Sequence, residues 1–388
     1  MWKIAAFAII EGVPISREEA LALVGQLQDA TGRRDIARLM EFYAEDAMAI
    51  SPVFGEIKGR EAIAATFTRM FSTLADVAFE VSDVLVDGDR IAILGIVKTT
   101  DRRGWFGLPA TGGPIEYRLV LLLTIAQGKI IQDERIYDSS GVVARVEKAR
   151  LDKELDTAAE VQRALLSRTA HVGRFCESLG DSVPCRAIGG DFFEFIDLPS
   201  GSVGIAIGDI AGKGPAAALL AALLQGMFAT EVTLGGGPAE ILSRMNGRLL
   251  ERGLESRFAT LVYAEFTADG RLVYSNAGHN PPALLARDGI RRLTEGGPIL
   301  GAFPSAAFEE ETLRLQHGDT LVMFTDGAIE ARNVQDEEFG EDGLMERLVD
   351  GASSTPKELL RQIIDGVRDF CKQAEQSDDI TVTVTRFR

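Results

Sequence analysis

The amino-acid sequence predicts two α+β domains joined by one long helix. The chain has 388 residues, more than a single hydrophobic core usually serves. Helical periodicity precedes strand periodicity in the first third, whereas strands and helices alternate after residue 189. Residues 142–168, between these patterns, contain neither glycine nor proline. We therefore predict domains at residues 1–141 and 169–388, with a helical linker at residues 142–168.

The composition is typical of a folded protein, with 46% hydrophobic and 26% charged residues. The net charge of −17 argues against a nucleic-acid partner, because few cations would face the phosphates. The sparse set of three cysteines, Cys176, Cys185 and Cys371, fits a reducing compartment and predicts a cytoplasmic protein. The apolar start, residues 2–10, is too short to span a membrane and lacks a signal-peptide cleavage site. We expect it to pack on the first domain.

The first domain has helical patterns followed by strand patterns. Apolar residues recur at helical spacing over residues 16–45 and again over residues 60–74. Two long period-two stretches follow, each interrupted by a turn signal, Asp87-Gly88 and Gln127-Gly128. This order predicts helices packed on a curved antiparallel sheet.

Four segments of this region, YAEDAMAISP, KGREAIAATF, VSDVLVDGDRIAI and TIAQGKIIQDERIYD, resemble the SnoaL-like polyketide cyclases of the nuclear transport factor 2-like superfamily. The resemblance implies a cone-shaped α+β fold with an interior pocket. Its candidate lining residues are Tyr43, Trp105, Tyr117 and Asp138, although the aromatic side chains could equally fill the cone as core. Members of the group include enzymes, binding modules and dimerisation modules, so fold alone does not give function. The domain could bind a small-molecule or protein ligand, or be an active cyclase or isomerase that uses Asp138.

The linker carries an apolar stripe on an otherwise charged helix, formed by Leu151, Leu155, Ala158, Val161 and Leu165. One interpretation is a parallel coiled coil that joins two copies of the chain into a homodimer. The other is a single amphipathic helix that lies on the second domain. The stripe covers fewer than four heptads, so periodicity does not decide between them.

The second domain alternates strand and helix patterns. Strands are predicted for FFEFIDL, SVGIAIGDI, FATLVYAEFT, RLVYSNAG and the final ITVTVTRF. Helices are predicted over residues 215–230, 238–252 and 356–373, each opened by a proline.

Four aspartates lie at the ends of strand-like runs in this domain: Asp191, Asp209, Asp326 and Asp378. Carboxylates that converge on one rim of a sheet repel one another unless a cation neutralises them. Oxygen ligands suit Mg²⁺ or Mn²⁺, and the scarcity of histidine and cysteine disfavours zinc. An aspartate followed by glycine is by itself a common turn former, but the four together predict a two-metal hydrolase.

Six motifs in order, GGDFFEF, GDIAGKG, NAGHNPP, GDTLVMFTDGAIEAR, FGEDGL and SDDIT, resemble the SpoIIE/RsbU branch of the metal-dependent protein phosphatase (PPM) family. The resemblance begins near residue 155 and implies an α-β-β-α sandwich with two Mn²⁺ or Mg²⁺ ions that activate water. It implies that Asp209 bridges both metals and that Asp191 and the carbonyl of Ile210 complete one shell. It further implies that Asp326 and Asp378 bind the other metal, while Asp379 stands where many relatives carry asparagine.

The chain departs from the eukaryotic members, which have Asp-Gly-His where this sequence has Asp209-Ile210-Ala211. The candidate general acid is therefore missing. His279 is a candidate replacement or a turn residue before Pro281-Pro282, and Lys213 could bind phosphate or cap its glycine loop. The segment around Lys213 lacks the spacing of a P-loop, and the chain has no G-x-S-x-G elbow.

The phosphatase resemblance implies a protein serine/threonine phosphatase of bacterial signalling. Its expected substrate is a phosphorylated STAS-domain anti-anti-sigma factor, and the first domain would regulate it through the linker. An alternative is a phosphatase-fold scaffold with weak basal activity that mainly binds partners.

Overall fold

The structure is a computed structural model that describes residues 14–74, 76–104, 109–165, 169–253 and 258–388. Its chain divides into two compact units, one ending at Glu154 and the other beginning at Leu155. The apolar start of the chain, predicted to pack on the first domain, lies outside the described residues, as does Trp105.

The first unit packs helices on one six-stranded sheet of order β2-β1-β6-β5-β4-β3. Its elements are α1 (Arg17–Arg33), α2 (Ile36–Met40), β1 (Tyr43–Ser51), β2 (Gly55–Lys58), α3 (Arg60–Thr73), β3 (Ala78–Asp87), β4 (Arg90–Thr100), β5 (Pro114–Ala126) and β6 (Lys129–Ile136). Every pair of neighbours is antiparallel except β1 and β6, which run parallel. Both predicted hairpins form, and positive φ angles of 49° at Gln127 and 70° at Gly128 provide the tight β5–β6 turn.

The first predicted helix is divided and ends earlier than expected. Helix α1 begins with a capping box in which the Ser16 and Glu19 side chains bond each other's backbone N–H groups. The helical prediction through residue 45 is wrong, because β1 begins at Tyr43. Tyr43 pairs with Ile130 of β6, so sheet pairing overrides the helical spacing of the apolar residues there.

One long helix, α4 (Ser139–Leu165), contains the division between the two units. Its first half packs in the first unit, where Val142 and Val146 contact Ile115. Its second half packs in the second unit, where Leu155 and Ala159 lie against Ile188 and Ala218. The predicted helical linker is therefore present, and the predicted domain boundaries at residues 141 and 169 stay predictions.

The second unit is a sandwich of two six-stranded sheets between two layers of helices. Its elements are β7 (Ala170–Val172), β8 (Cys176–Val183), β9 (Phe192–Asp197), β10 (Val203–Ile210), α5 (Pro215–Thr233), α6 (Pro238–Glu251), β11 (Ala259–Phe266), β12 (Arg271–Ala277), β13 (Ala283–Ala286), β14 (Gly289–Arg292), β15 (Gly296–Gly297), β16 (Glu311–Arg314), β17 (Thr320–Phe324), α7 (Gly340–Asp350), α8 (Pro356–Cys371) and β18 (Ile380–Phe387). One sheet has the order β15-β12-β11-β10-β9 with β16 beside β12, and the other has the order β14-β13-β17-β18-β8-β7. The strands and helices predicted for this domain form, within a few residues of their expected ends.

Side-chain alternation explains the layers of the sandwich. Along β10, Ile205 and Ile207 face the opposite sheet, whereas Ala206 faces α5 and α6. Along β17, Met323 faces inward, whereas Phe324 packs against α7 and α8. The mixed α/β architecture predicted from the sequence is confirmed.

Helix α5 is the one helix within the described parts of the chain that is long and apolar enough to cross a membrane. Of its most apolar 18-residue stretch, 56% is buried inside the protein, chiefly against β9, β10 and α6. Core helices of globular domains meet the same criterion, so no membrane span is indicated.

Candidate metal centre

The four aspartates reach one rim because the strands that carry them are antiparallel neighbours. Asp191 directly precedes β9 and Asp209 lies near the end of β10, and Phe192 pairs with Gly208 between them. In the other sheet, Asp326 follows β17 and Asp378 precedes β18, whose Val382 pairs with Phe324. Each sheet therefore presents two carboxylates at the same end, and the stacked sheets bring the two pairs together.

Burial and neighbouring negative charge raise the pKa values of three of these carboxylates. Asp191 is only 3% exposed, and burial, reinforced by the charge of Asp209, raises its pKa well above the usual range. Burial and then the charge of Asp326 raise the pKa of Asp209 to about 6. Burial and then the charge of Asp378 raise the pKa of Asp326. Mutual repulsion of this kind, in an all-oxygen donor set, fits a centre whose balance comes from bound divalent cations.

Two neighbouring side chains fix the orientation of the carboxylates. The hydroxyl of Thr325 donates to Oδ2 of Asp191 over 2.7 Å. The ammonium of Lys213 lies 2.8 Å from Oδ2 of Asp378 and also donates to the Ser377 carbonyl. Lys213 is therefore a rim residue beside the candidate ligands, where its positive charge partly offsets theirs.

Asp379 lies beside Asp378 and holds the loop that leads to Asp191. Its carboxylate, which is buried, accepts backbone hydrogen bonds from Cys185 at 2.8 Å and Gly190 at 2.7 Å. A Cβ on Gly189 would overlap with this carboxylate, and one on Gly327 would overlap with the Asp379 carbonyl. Glycine is thus required beside two of the candidate ligands by close packing. This geometry gives Asp379 a positioning role.

His279 joins the two sheets beneath the rim. Its Nε2 lies 3.1 Å from the carbonyl of Phe324, which can only accept, so Nε2 carries the proton. The hydroxyl of Thr260, which pairs opposite Asp209, donates to Nδ1 over 2.7 Å. Burial lowers the pKa of His279 to about 4. Both ring nitrogens of this neutral imidazole are engaged, so a proton donor to a leaving group does not fit this position.

The remaining candidate ligand is the carbonyl of Ile210 at the end of β10. It lies close to the Gly189-Gly190 loop, where a Cβ on Gly190 would approach the carbonyl oxygen to 3.2 Å. Gly190 therefore keeps the space around this carbonyl open.

Sequence reasoning missed a contact between the linker helix and the metal-ligand loop. The side-chain amide of Gln162 in α4 accepts from the Gly189 N–H at 3.1 Å and donates to the Gly189 carbonyl at 2.7 Å. Gly189 is two residues before Asp191. The nearest sequence signal is the start of the phosphatase resemblance near residue 155, which places this part of the helix with the second unit.

The candidate pocket residues of the first unit divide into two groups. Tyr43 and Tyr117 line a cavity of about 400 Å³ between the helices and the sheet. The prediction for Asp138 is wrong, because this exposed residue lies outside the cavity wall and caps α4, accepting from the Gly141 N–H at 2.8 Å. Sequence reasoning missed Asp133 and Arg135, which line the cavity and pair with each other.

Comparison with known proteins agrees with both units. Residues 199–388 match the family model of stage II sporulation protein E (SpoIIE), and residues 24–132 match that of the SnoaL-like domain. The chain is 28% identical to phosphoserine phosphatase RsbU of Bacillus subtilis over 61% of this chain and 70% of that protein. It is 30% identical to Protein IcfG of Synechocystis sp. over 51% of this chain but only 36% of that protein.

Two solved structures share the fold of the second unit. The SiaA-PP2C domain of Pseudomonas aeruginosa is 19% identical, with a TM-score of 0.55, 62% of this chain covered and 99% of that one. The RsbU and RsbW domains of Rv1364c from Mycobacterium tuberculosis are 22% identical, with a TM-score of 0.50, 57% of this chain covered and 63% of that one. The second unit therefore has the PP2C-like fold. The chain is thus similar to the SpoIIE family over residues 199–388 and to the SnoaL-like domain over residues 24–132.

Proposed function

We propose that this chain is a bacterial signalling phosphatase that hydrolyses phosphoserine or phosphothreonine on a partner protein. The observation that carries the proposal is the convergence of Asp191, Asp209, Asp326 and Asp378 at one rim, where burial and neighbouring negative charge raise the pKa values of the first three. The similarity to RsbU of Bacillus subtilis, a named phosphoserine phosphatase, supports the reaction. The SpoIIE/RsbU resemblance supports a phosphorylated STAS-domain anti-anti-sigma factor as the substrate, in the cytoplasm.

The four carboxylates and the Ile210 carbonyl would hold two Mn²⁺ or Mg²⁺ ions. Bound there, such ions supply Lewis acidity toward a phosphoryl oxygen and toward water. The protein's part is preorganisation: Thr325 fixes an oxygen of Asp191, and Asp379 holds the loop in front of it. His279 keeps the two sheets in register beneath the ligands. Lys213 places a positive charge at the rim, where a phosphoryl oxygen would gain from it.

Regulation by the first unit has a mechanical basis in α4. Gln162 holds the loop before Asp191 through two hydrogen bonds, and Gln225 donates to the Leu165 carbonyl at the end of the helix over 3.1 Å. A shift of α4 along its axis would therefore move a loop that carries a metal ligand. We propose that ligand or partner binding to the first unit changes the activity of the second unit through this contact of Gln162.

A homodimer through α4 is the second part of the proposal. Leu155 packs against residues of the second unit, so it is not part of the exposed stripe that would meet a second copy. Leu151, Ala158, Val161 and Leu165 are exposed along the helix. Burial of this stripe against a second copy would remove it from water. Sedimentation of the full chain and of Val161→Glu tests this: a dimer that the substitution dissociates supports it, and a monomer in both cases contradicts it.

The test of the activity is phosphate release from a phosphorylated STAS-domain protein by the purified full chain. We expect release with Mn²⁺, loss of release with a chelator, and recovery when Mn²⁺ returns. Retained activity after exhaustive chelation would rule out the metal mechanism. A small phosphate ester assayed in parallel separates the scaffold alternative, which predicts partner binding with hardly any ester turnover.

The cyclase or isomerase alternative for the first unit depended on Asp138. That residue is exposed at the start of α4. The carboxylate that does line the cavity, Asp133, is already hydrogen-bonded to Tyr43 and Arg135. We therefore propose a sensory role for this unit.

A further inference from the structure

The cavity of the first unit has the size and lining of a small-molecule site. It encloses about 400 Å³ between α1, α3 and the sheet. Aliphatic and aromatic side chains form most of its wall, and its polar groups include Ser51, Tyr117, Tyr137 and the Asp133–Arg135 pair. Cavities of a few hundred Å³ with mainly apolar walls and a few converging polar groups are typical ligand sites.

The charges inside the cavity balance each other. Asp133, which is buried, accepts from the Tyr43 hydroxyl at 2.9 Å and from Nη2 of Arg135 at 2.8 Å. The Arg135 guanidinium also lies over the Phe67 ring, 4.9 Å from its centroid. The third charged lining residue, Arg69, is exposed. A charged group on a ligand inside would thus find no free counter-charge among the described lining residues, which favours an uncharged ligand.

Two tyrosines give the cavity a polar aromatic end. The rings of Tyr117 and Tyr137 lie 5.2 Å apart, and the Tyr137 hydroxyl lies 3.5 Å from the Ser51 hydroxyl. Phenol hydroxyls both donate and accept hydrogen bonds, so this end suits a carbonyl or hydroxyl group.

The same two tyrosines also make contacts at the start of helix α4. Tyr117 packs against the cluster of Ile115, Val142 and Val146. The carbonyl of Tyr137 accepts from the Ser139 N–H at 3.0 Å, where α4 begins. A ligand that moves the Tyr117 ring therefore acts on the first two turns of α4.

We infer that the cavity binds an uncharged, mostly apolar small molecule whose carbonyl or hydroxyl group meets Tyr117 and Tyr137, and that occupancy is transmitted to α4 through Tyr117. The transmission to the phosphatase rests on the proposed function. The binding and the response of α4 do not, and they are measured separately.

Binding is tested with the uncharged fluorophore N-phenyl-1-naphthylamine and the full chain. Leu119→Trp fills the cavity and should weaken probe binding at least about tenfold. Arg118→Trp is the matched control, because Arg118 is the exposed neighbour on the same strand. Circular dichroism checks that both variants fold. Decanol should displace the probe better than decanoate, which has the same chain and a charge. Unchanged binding in Leu119→Trp, or preference for decanoate, would overturn the inference.

Transmission is tested by hydrogen exchange over residues 139–146 with and without decanol. We expect slower exchange in wild type and in Val143→Ala, and no change in Val142→Ala, which keeps probe binding but loses the packing on the Tyr117 cluster. Decanol should also change Mn²⁺-dependent hydrolysis of p-nitrophenyl phosphate about fivefold or more. Exchange that decanol leaves unchanged would overturn the transmission. Slowed exchange without a change in hydrolysis would instead contradict the proposed regulation, and absent hydrolysis would contradict the proposed activity.

Discussion

The rim of the second unit and the cavity of the first unit both bury carboxylates, but they balance the charge differently. In the cavity, the Arg135 guanidinium neutralises the Asp133 carboxylate, and the Tyr43 hydroxyl donates a hydrogen bond to it. At the rim, burial and neighbouring negative charge raise the pKa values of Asp191, Asp209 and Asp326, and Lys213 is paired with Asp378. A buried charge balanced internally belongs to the fold, whereas an unbalanced cluster implies a partner from outside. This difference distinguishes a cavity wall from a metal centre.

The largest expected effect comes from removing a rim carboxylate. Asp209→Asn should lower Mn²⁺-dependent phosphatase activity about a thousandfold or more, because the ligands act as a unit. In chelator, the same variant should be more stable than wild type, because it relieves repulsion with Asp326. Ester hydrolysis and thermal unfolding measure the two effects. Near-normal activity, or lower stability in chelator, would contradict the assignment of the rim.

Removing the positive charge that pairs with Asp133 in the cavity should instead lower the stability of the protein. Arg135→Met should destabilise the protein by about 3–5 kcal/mol, because Asp133 stays buried without its partner. Chemical unfolding compares it with Arg118→Met, which changes an exposed arginine and should cost less than about 0.5 kcal/mol. The double variant that adds Asp133→Asn should recover much of the loss. Equal stability of Arg135→Met and wild type would show that the pair does not balance the cavity.

Helix α4 contacts the Tyr117 side of the cavity through apolar packing and the loop before Asp191 through the Gln162 amide. Gln162→Leu removes both hydrogen bonds to Gly189 and should lower activity or Mn²⁺ affinity about 10–100-fold, the usual effect of losing an outer positioning residue. Arg163→Leu, at the exposed neighbouring position, should retain both. A Gln162→Leu variant with the activity and Mn²⁺ dependence of wild type would contradict the proposed route of regulation.

The convergence of the four aspartates on one rim could be predicted from the sequence, because each stands at a strand end within a recognisable motif. The contacts that support them could not. Thr325 and Asp191 are 134 positions apart, and Tyr43 and Asp133 are 90 apart, so only the folded sheets bring them together. Tyr43 itself was expected in a helix, because its apolar neighbours share helical spacing that strand pairing overrides. Asp138 was mistaken for a pocket residue because nothing local distinguishes a helix cap from a lining carboxylate.

A further prediction concerns the dependence of stability on pH. Burial holds the folded-state pKa of His279 at about 4, below the unfolded value of about 6.5. The unfolded chain therefore takes up a proton first as the pH falls. The contribution of the neutral His279 side chain to the free energy of unfolding is fully present above pH 6.5. This contribution is lost as the pH falls toward 4, by up to about 3 kcal/mol. The loss in stability from pH 7.5 to 5 should be smaller for His279→Gln than for wild type, and equal losses would contradict the neutral, buried imidazole.

The most direct test of the comparison is calorimetric titration of the chelator-treated full chain with Mn²⁺. The four rim carboxylates predict saturable uptake of two Mn²⁺ ions per chain. Asp209→Asn should weaken this uptake or reduce it to one ion. The cavity variants, Arg135→Met alone and with Asp133→Asn, should leave the uptake unchanged. Folded wild-type protein that takes up no Mn²⁺, or an Asp209→Asn variant that binds two ions as wild type does, would contradict the assignment of the four aspartates as a metal centre.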